Sequence, residues 1–130
     1  VPTSGLVFTS ALAYEIFKPL IYIRKEAKGY GVNNLIEGKF EKENEVLLID
    51  DVITTGKSLI NAINVIRTRN LKINTVLSLL FRGNEQTIQA FTKIGIDLKF
   101  LISFKEITNI IASKNLLGEE DRKKLREVKI

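Results

Sequence analysis

The chain has no cysteine and no histidine among its 130 residues. Without cysteine, disulfide bonds, thiol nucleophiles and zinc sites built on cysteine are excluded. Without histidine, the chain lacks the commonest metal ligand and the usual general base near neutral pH. Any catalysis by this chain therefore depends on carboxylates, lysines, arginines and positioned backbone groups.

Long apolar runs are also missing. No apolar stretch approaches the ~20 residues that cross a bilayer, and no charged and then apolar leader opens the chain, so we expect a cytoplasmic protein that does not enter a membrane. The length and the 45% hydrophobic content predict one globular domain over residues 1–130. The net charge of +5 suits a polyanionic small molecule and also a nucleic acid, and by itself it favours neither.

Strand patterns alternate with helix patterns along most of the chain. A buried strand is predicted at residues 20–23, and further strands at residues 46–49, 76–81 and 98–103. Helices are predicted at residues 4–17, 57–70, 84–94, 104–114 and 119–129. Residues 24–38 are polar and rich in glycine and asparagine, which predicts a mobile loop. The alternation predicts an α/β fold with a mostly parallel sheet flanked by helices.

One string of thirteen residues, 46–58, carries the strongest functional signal. Its apolar start is typical of a buried parallel strand, and Asp50 and Asp51 follow at the carboxyl end, where open α/β sheets bind ligands. Residues 54–58 then offer hydroxyls and close backbone N–H groups at the start of a helix, where partial positive charge favours an anion. We therefore expect a phosphate at the helix start and sugar hydroxyls at the two acids.

Two other interpretations of this string compete. Gly56-Lys57-Ser58 reproduces the end of a nucleotide-binding P-loop, but the first glycine of that motif would fall at Asp51, where a carboxylate repels the β-phosphate. In a plain strand-to-helix turn, Asp51 or Thr55 only caps the helix and Lys57 is solvated. That second interpretation explains a lone pair of acids after a strand better than it explains the whole string.

The string resembles the 5-phosphoribosyl-1-diphosphate (PRPP) binding motif of type I phosphoribosyltransferases. The resemblance implies that Asp50 and Asp51 hold the ribose hydroxyls and take part in catalysis. It also implies that PRPP contacts Val52, Ile53, Thr54, Thr55, Gly56, Lys57 and Ser58. Among these, residues 54–58 would hold the 5-phosphate. It also implies Mg²⁺ as cofactor, bound mainly by oxygens of PRPP, so that no dedicated cluster of protein ligands is expected.

The polar loop carries a second resemblance. Arg24, Lys25 and Lys28 fall within five residues, and Leu-Ile-Glu-Gly follows at residues 35–38. Taken alone, a lysine-rich loop is more often a solvated run of charge. Together the two strings resemble the catalytic loop of orotate phosphoribosyltransferases, which closes over the site, often across a dimer interface. The resemblance implies that the three cations meet the diphosphate and that Lys25 and Lys28 are catalytic. Many members have histidine at the position of Tyr30, so a proton transfer by that histidine is not carried over.

The first residues of the chain resemble the diphosphate loop of the same family. Thr3, Ser4 and Gly5 precede a predicted helix and offer backbone amides and a hydroxyl to the leaving group. A plain helix cap is the alternative for these residues taken alone. These residues lie one predicted helix and one predicted strand before the loop of residues 24–38, which is the order that the resemblance implies.

Arg82 follows the predicted strand 76–81 and therefore lies on the same rim of the sheet as the two acids. A guanidinium there is able to bind a carboxylate through two parallel hydrogen bonds, although a surface arginine at a strand end is the common case. The resemblance implies that Arg82 and Thr54 bind orotate. Many members have aspartate before this arginine, where this chain has Phe81.

The resemblance as a whole implies a type I phosphoribosyltransferase fold, Rossmann-like and short at the N-terminus, because members carry a hood and a further strand that these residues lack. It implies a homodimer that transfers the 5-phosphoribosyl group of PRPP to orotate, giving orotidine 5′-monophosphate and diphosphate. A purine phosphoribosyltransferase is one alternative, although it should not carry both loop strings. A PRPP-sensing regulator of nucleic acid is another, but the basic residues are scattered and no helix-turn-helix is evident, so nucleic acid is not expected.

The loop resemblance predicts the effect of removing one cation. A well-placed cation that meets the departing diphosphate is worth roughly 2 to 4 kcal/mol of the barrier, so Lys28→Ala should lower turnover ~30- to ~1000-fold, with a smaller effect on PRPP affinity. Steady-state kinetics of the variant measure this. Unchanged turnover in an active preparation would remove the loop from the mechanism.

Overall fold

The computed structural model describes residues 4–24, 35–114, 118, 120–121 and 124. Its elements follow the chain as α1 (Ser4–Glu15), β1 (Tyr22–Ile23), β2 (Ile36–Glu37), β3 (Glu45–Ile53), α2 (Lys57–Thr68), β4 (Lys72–Phe81), α3 (Glu85–Lys93), β5 (Asp97–Ser103) and α4 (Phe104–Ser113). Most of the helix predicted at residues 119–129 lies outside the described residues. None of the helices described is long and apolar enough to cross a membrane.

Three strands form a parallel sheet in the order β3-β4-β5, with β4 in the centre. In its register Asp50 lies opposite Ser78, Ile53 lies opposite Phe81, and Phe81 lies opposite Ser103. The carboxyl ends of all three strands therefore meet at one rim of the sheet. The predicted α/β class with a mostly parallel sheet is confirmed.

The strand predicted at residues 20–23 differs from what forms. Only β1 is extended there, and it pairs antiparallel with β2 in a separate two-stranded sheet. Its residues are exposed or half-buried, in contrast to the fully covered strand that the apolar run suggested. Ile21 and Ile23 pack against the core. Side chains can do this without their strand belonging to the parallel sheet, which explains why the run is apolar.

The central string also folds with a longer strand than predicted. β3 continues through both acids to Ile53, because the pairing with β4 extends through Val52 opposite Leu80 and Ile53 opposite Phe81. Ladder hydrogen bonds join backbone groups, so a carboxylate does not end a strand. Asp50 and Asp51 thus belong to the last part of β3 and do not follow it.

The core lies between the sheet and the helices α2 and α3. Both helices have one apolar face, and the side chains that α2 buries are Leu59, Ala62, Ile63 and Ile66. From α3, Phe91 is fully buried. Helix α1 has no single apolar face, since Val7 and Phe8 are exposed, and it packs against β3. Gly56, in the connection between β3 and α2, lies against the Phe91 ring of α3.

A cavity of about 670 Å³ lies along β3. It is lined mainly by apolar residues of α1, of the segment 18–23 and of β3. Leu47, in the middle of this strand, is 44% exposed.

Burial predicts which isoleucine of the helices matters for stability. Ile63 on α2 is fully buried and Ile88 on α3 is 37% exposed. Ile63→Ala should lower the free energy of unfolding by about 2 to 5 kcal/mol, because it leaves a cavity in the core. The matched change Ile88→Ala should lower it by less than about 1 kcal/mol. Urea unfolding of both variants measures the difference, and equal losses would contradict this packing.

Candidate functional site

The connection between β3 and α2 leaves a helix start open to a ligand. Gly56 is the N-cap of α2 with φ 72°, a left-handed conformation that glycine adopts without strain, and no side chain caps the first turn. By contrast, α3 and α4 both begin with capping boxes, made by Asn84 with Thr87 and by Ser103 with Glu106. Backbone N–H groups at an uncapped helix start are hydrogen-bond donors for an anion.

Around this helix start the side chains differ in exposure. Thr54, Thr55, Lys57 and Ser58 are exposed, so their hydroxyl and ammonium groups are accessible to a ligand. Gly56 is buried against α3, where a Cβ atom would lie 2.5 Å from Phe91 Cε2. The structure thus brings together the residues that the sequence assigned to a phosphate.

The two residues before this loop contribute differently. Val52 is 37% exposed, whereas Ile53 is 1% exposed and its side chain belongs to the core. The backbone of Ile53 is also occupied, because its carbonyl accepts the backbone N–H of Arg82 at 2.7 Å. The side chain of Ile53 is therefore too buried to contact PRPP, whereas the side chain of Val52 is accessible.

The two acids of β3 occupy different environments. Asp50 is only 4% exposed, and a Cβ atom on Gly5 would lie 3.0 Å from its Oδ1 atom, so the carboxylate lies against the start of α1. The same oxygen accepts the backbone N–H of Asp51 at 3.1 Å. Asp51 is half-buried. The predicted pair is therefore present beside the predicted Gly5, with Asp51 the more accessible of the two.

Burial raises the pKa of Asp50. Loss of hydration is the largest cause, followed by the hydrogen bond with the neighbouring Asp51 carboxyl, and together these effects raise the pKa from 3.8 to about 6. The carboxyl of Asp50 thus changes its charge close to neutral pH, at the rim where the ligand is expected.

Arg82 lies on the same rim, directly after β4. Its guanidinium carbon is 5.1 Å from the centre of the Phe104 ring, a cation–π distance that holds the side chain beside the start of α4. A cavity of about 330 Å³ is lined by Arg82 together with Thr54 and Thr55. The two residues predicted to bind orotate, Thr54 and Arg82, are thus brought into one cavity.

Phe81, which stands where many relatives have aspartate, points into the core. It is 6% exposed and stacks on Phe100 with ring centres 4.7 Å apart. Phe81 therefore takes part in the packing between β4 and β5, and the backbone places Arg82 directly after it at the rim.

Arg24 is already paired with an acid of its own chain. Its Nε atom lies 2.7 Å from Glu37 Oε1. The N–H is not aligned on that oxygen, so the contact is an ion pair and not a directed hydrogen bond. The guanidinium also lies 5.9 Å from the centre of the Tyr22 ring. In this arrangement Arg24 joins β1 to β2 through Glu37, and the Glu37 contact uses the Nε atom of its guanidinium.

Several predicted site residues lie outside the described part of the chain. These are Thr3 of the diphosphate loop, the catalytic-loop lysines Lys25 and Lys28, and Tyr30. Ser4 begins α1, and its side chain is not among the described ones. The residues described contain no group of three or more acidic side chains that could hold a metal ion by themselves. Asp50 and Asp51 supply oxygen donors of the kind that Mg²⁺ prefers, but a bound ion needs further oxygens from a ligand.

Sequence reasoning missed the support behind the loop. Thr87 Oγ1 lies 3.3 Å from the carbonyl oxygen of Thr54, and Gly83 leaves room for the same carbonyl, since a Cβ there would lie 2.7 Å from it. The spacing Asn84-x-x-Thr87 at the end of a strand is a helix-start signal that was available. The contact of Thr87 with the loop cannot be read from the sequence, because the two segments are far apart in it.

Comparison with known proteins gives one family. The sequence profile described as phosphoribosyl transferase domain matches residues 1–96. An orotate phosphoribosyltransferase of Sulfolobus acidocaldarius is 33% identical over 123 residues, which are 95% of this chain and 61% of that protein. A uridine 5′-monophosphate synthase of Caenorhabditis elegans is 34% identical, and the match covers 92% of this chain and 24% of that protein.

A solved structure is also similar along most of the chain. The crystal structure of orotate phosphoribosyltransferase from Aeropyrum pernix superposes with a TM-score of 0.71 at 31% identity, covering 91% of this chain and 64% of that one. The chain thus spans between about a quarter and two thirds of the length of the relatives it matches.

The raised pKa of Asp50 predicts how stability depends on pH. Between pH ~4 and ~6 the folded protein binds more protons than the unfolded chain, so its stability should fall as pH rises through this window and level off above it. Asp50→Asn removes the buried charge. The variant should therefore gain about 2 to 3 kcal/mol relative to wild type between pH 4 and pH 7.

Urea unfolding at several pH values measures this gain. Asp97→Asn is the control, because Asp97 is exposed and pairs with Lys99, so its replacement should not give such a gain. If the free energy of unfolding differed between Asp50→Asn and wild type by the same amount at every pH, the raised pKa of Asp50 would be contradicted.

Proposed function

This chain belongs to the phosphoribosyl transferase domain family, and we propose that it carries the PRPP and orotate sites of an orotate phosphoribosyltransferase. The reaction would move the 5-phosphoribosyl group of PRPP to orotate and release diphosphate, a step of pyrimidine nucleotide synthesis. The observation that carries the proposal is the β3–α2 junction, where two acids lead into an uncapped helix start. The names of the relatives, orotate phosphoribosyltransferase and uridine 5′-monophosphate synthase, support the choice of base.

The 5-phosphate of PRPP would bind at the start of α2. The loop of residues 54–58, called the phosphate loop below, presents exposed hydroxyls beside N–H groups that no side chain caps. Because the N-terminus of a helix carries partial positive charge, a phosphate there is stabilised without a dedicated arginine. Lys57 adds a full positive charge in the first turn.

The ribose would lie between the phosphate loop and the two acids. Asp51 is accessible enough to accept hydrogen bonds from the ribose hydroxyls, and Asp50 lies behind it against Gly5. A carboxylate at this place also favours the positive charge that develops on the ribose ring as diphosphate leaves. Mg²⁺, held mainly by oxygens of PRPP with Asp51 as the accessible protein carboxylate, would neutralise charge on the diphosphate.

Orotate would bind in the cavity shared by Thr54 and Arg82. Its carboxylate matches the two parallel N–H groups of a guanidinium, and the exposed threonine offers a hydroxyl to a ring carbonyl. Stacking over Phe104 limits the directions that the Arg82 side chain adopts. The phosphate loop and the orotate site share Thr54, so the nucleophile and the sugar are aligned by one short segment.

The chemistry needs alignment more than a strong base, because orotate is already an anion at neutral pH. That agrees with a chain without histidine. The resemblance assigns Lys25 and Lys28 to the departing diphosphate and predicts a loop that closes over the site and excludes water. A homodimer in which the loop of one subunit reaches the site of the other, and a location in the cytoplasm, remain part of the proposal.

A spectrophotometric assay of orotate consumption with PRPP and Mg²⁺ tests the function. Orotate should be consumed, whereas adenine, guanine and hypoxanthine under the same conditions should not. Calorimetry with PRPP and Mg²⁺ provides a second readout that does not need turnover. Absence of both PRPP binding and orotate consumption in a folded sample would refute the proposal, and consumption of a purine would reassign the base.

The orotate site predicts a separation between base binding and PRPP binding. Arg82→Gln removes a charged hydrogen-bond donor worth about 1.5 to 3 kcal/mol, so KM for orotate should rise ~10- to ~100-fold while the Kd for PRPP stays within ~2-fold. Arg82→Lys keeps the charge but not the paired donors and should give an intermediate value. If both variants bound orotate as well as wild type, the carboxylate site would lie elsewhere.

A further inference from the structure

Three contacts hold the phosphate loop and the residue before it, and two of them come from α3. The backbone N–H of Arg82 donates to the carbonyl of Ile53 at 2.7 Å, just before the loop. Thr87 Oγ1 lies 3.3 Å from the carbonyl oxygen of Thr54. Gly56 packs directly on Phe91, which is fully buried. The loop is therefore fixed on the side away from the helix start that would bind the phosphate.

The hydroxyl of Thr87 has two acceptors within reach. Thr87 is 8% exposed, and its hydroxyl lies 3.3 Å from both the Thr54 carbonyl and Asn84 Oδ1. Asn84 Oδ1 already accepts the backbone N–H of Thr87 at 3.1 Å. The hydroxyl of Thr87 has one proton to donate. Donating it to the Thr54 carbonyl, which lies beside Gly83, gives that oxygen a hydrogen bond, whereas Asn84 Oδ1 already has one.

Fixing this carbonyl also fixes a donor. A peptide unit is planar and trans, so the C=O of Thr54 and the N–H of Thr55 point in opposite directions. If the carbonyl is directed back at Thr87, the N–H of Thr55 is directed away from α3. A rotation of this peptide unit would turn the N–H away from any anion at the start of α2.

We propose that Thr87 is a positioning residue for the phosphate loop, and that its hydroxyl holds the Thr54–Thr55 peptide with the N–H available to the 5-phosphate. The identity of the ligand in this inference depends on the proposed function. The methyl group of Thr87 adds to the support, since its Cγ2 atom lies 3.6 Å from the place of a Cβ on Gly56.

Backbone order in the protein without ligand tests the positioning role directly. Thr87→Val keeps the shape and removes the hydroxyl, Thr87→Ala removes it without a bulky replacement, and Thr87→Ser retains it. Thr92→Val is the matched control, because the Thr92 hydroxyl bonds only within α3, to Ile88. Order parameters from ¹⁵N relaxation report on the amides of Thr55 and Gly56.

We expect these order parameters to fall from about 0.85 to below about 0.6 in Thr87→Val and Thr87→Ala. They should stay at the wild-type value in Thr87→Ser and Thr92→Val. Amides of β4 should not change in any variant, which separates a local effect from unfolding. Unchanged order at Thr55 and Gly56 in both variants without the hydroxyl would overturn the proposal.

Titration with ribose 5-phosphate in the same spectra tests the consequence for binding. Loss of one hydrogen bond that orients a donor should weaken binding ~3- to ~10-fold in Thr87→Val, with Thr87→Ser and Thr92→Val within ~2-fold of wild type. Unchanged affinity in Thr87→Val would overturn the link to the phosphate. If wild type itself gave no saturable shift at Gly56 and Ser58, the proposed PRPP site would fail, and the order parameters alone would decide the positioning role.

Discussion

The backbone conformation of Gly56 is the constraint on which the rest of the site depends. Its left-handed φ of 72° turns the chain from the end of β3 into α2, and the ring of Phe91 occupies the space where any side chain would lie. A larger residue would be strained in its backbone and would also collide with the core. The turn leaves the first N–H groups of α2 without a side-chain cap, and that free helix start is what the proposed phosphate site uses.

The start of α1 comes close to the end of β3 because a buried acid and a glycine fit together there. Gly5 allows the first turn of α1 to lie within contact distance of Asp50, so the start of α1 and the phosphate loop lie near one short segment of strand. This proximity helps to bury Asp50, and burial together with the hydrogen bond to Asp51 raises the pKa of Asp50 to about 6. An electrostatic feature of the proposed site is thus a consequence of close packing between a helix and a strand.

The sequence predicted much of this arrangement and missed parts of it for identifiable reasons. The alternation of apolar runs with helical spacing predicted the parallel α/β class, and the fixed order of the strands placed Asp50 and Arg82 on one rim, as the structure confirms. The end of β3 was placed too early, because the apolar pattern stops at Asp50 while backbone pairing continues to Ile53. The apolar run at residues 20–23 predicts a buried strand, but β1 is only partly covered and pairs with β2. Apolar content indicates contact with the core and does not indicate which sheet a strand joins.

By itself the sequence determined the order of elements, the helix start at Lys57 and the residue types of the proposed phosphate site, because these depend on neighbours along the chain. Only the tertiary structure decided that Asp50 is buried against Gly5 while Asp51 is more accessible, that Arg24 pairs with Glu37, and that Thr87 and Phe91 support the phosphate loop. Those features are contacts between segments distant in sequence, and close packing of the core sets them in a way that no local pattern records.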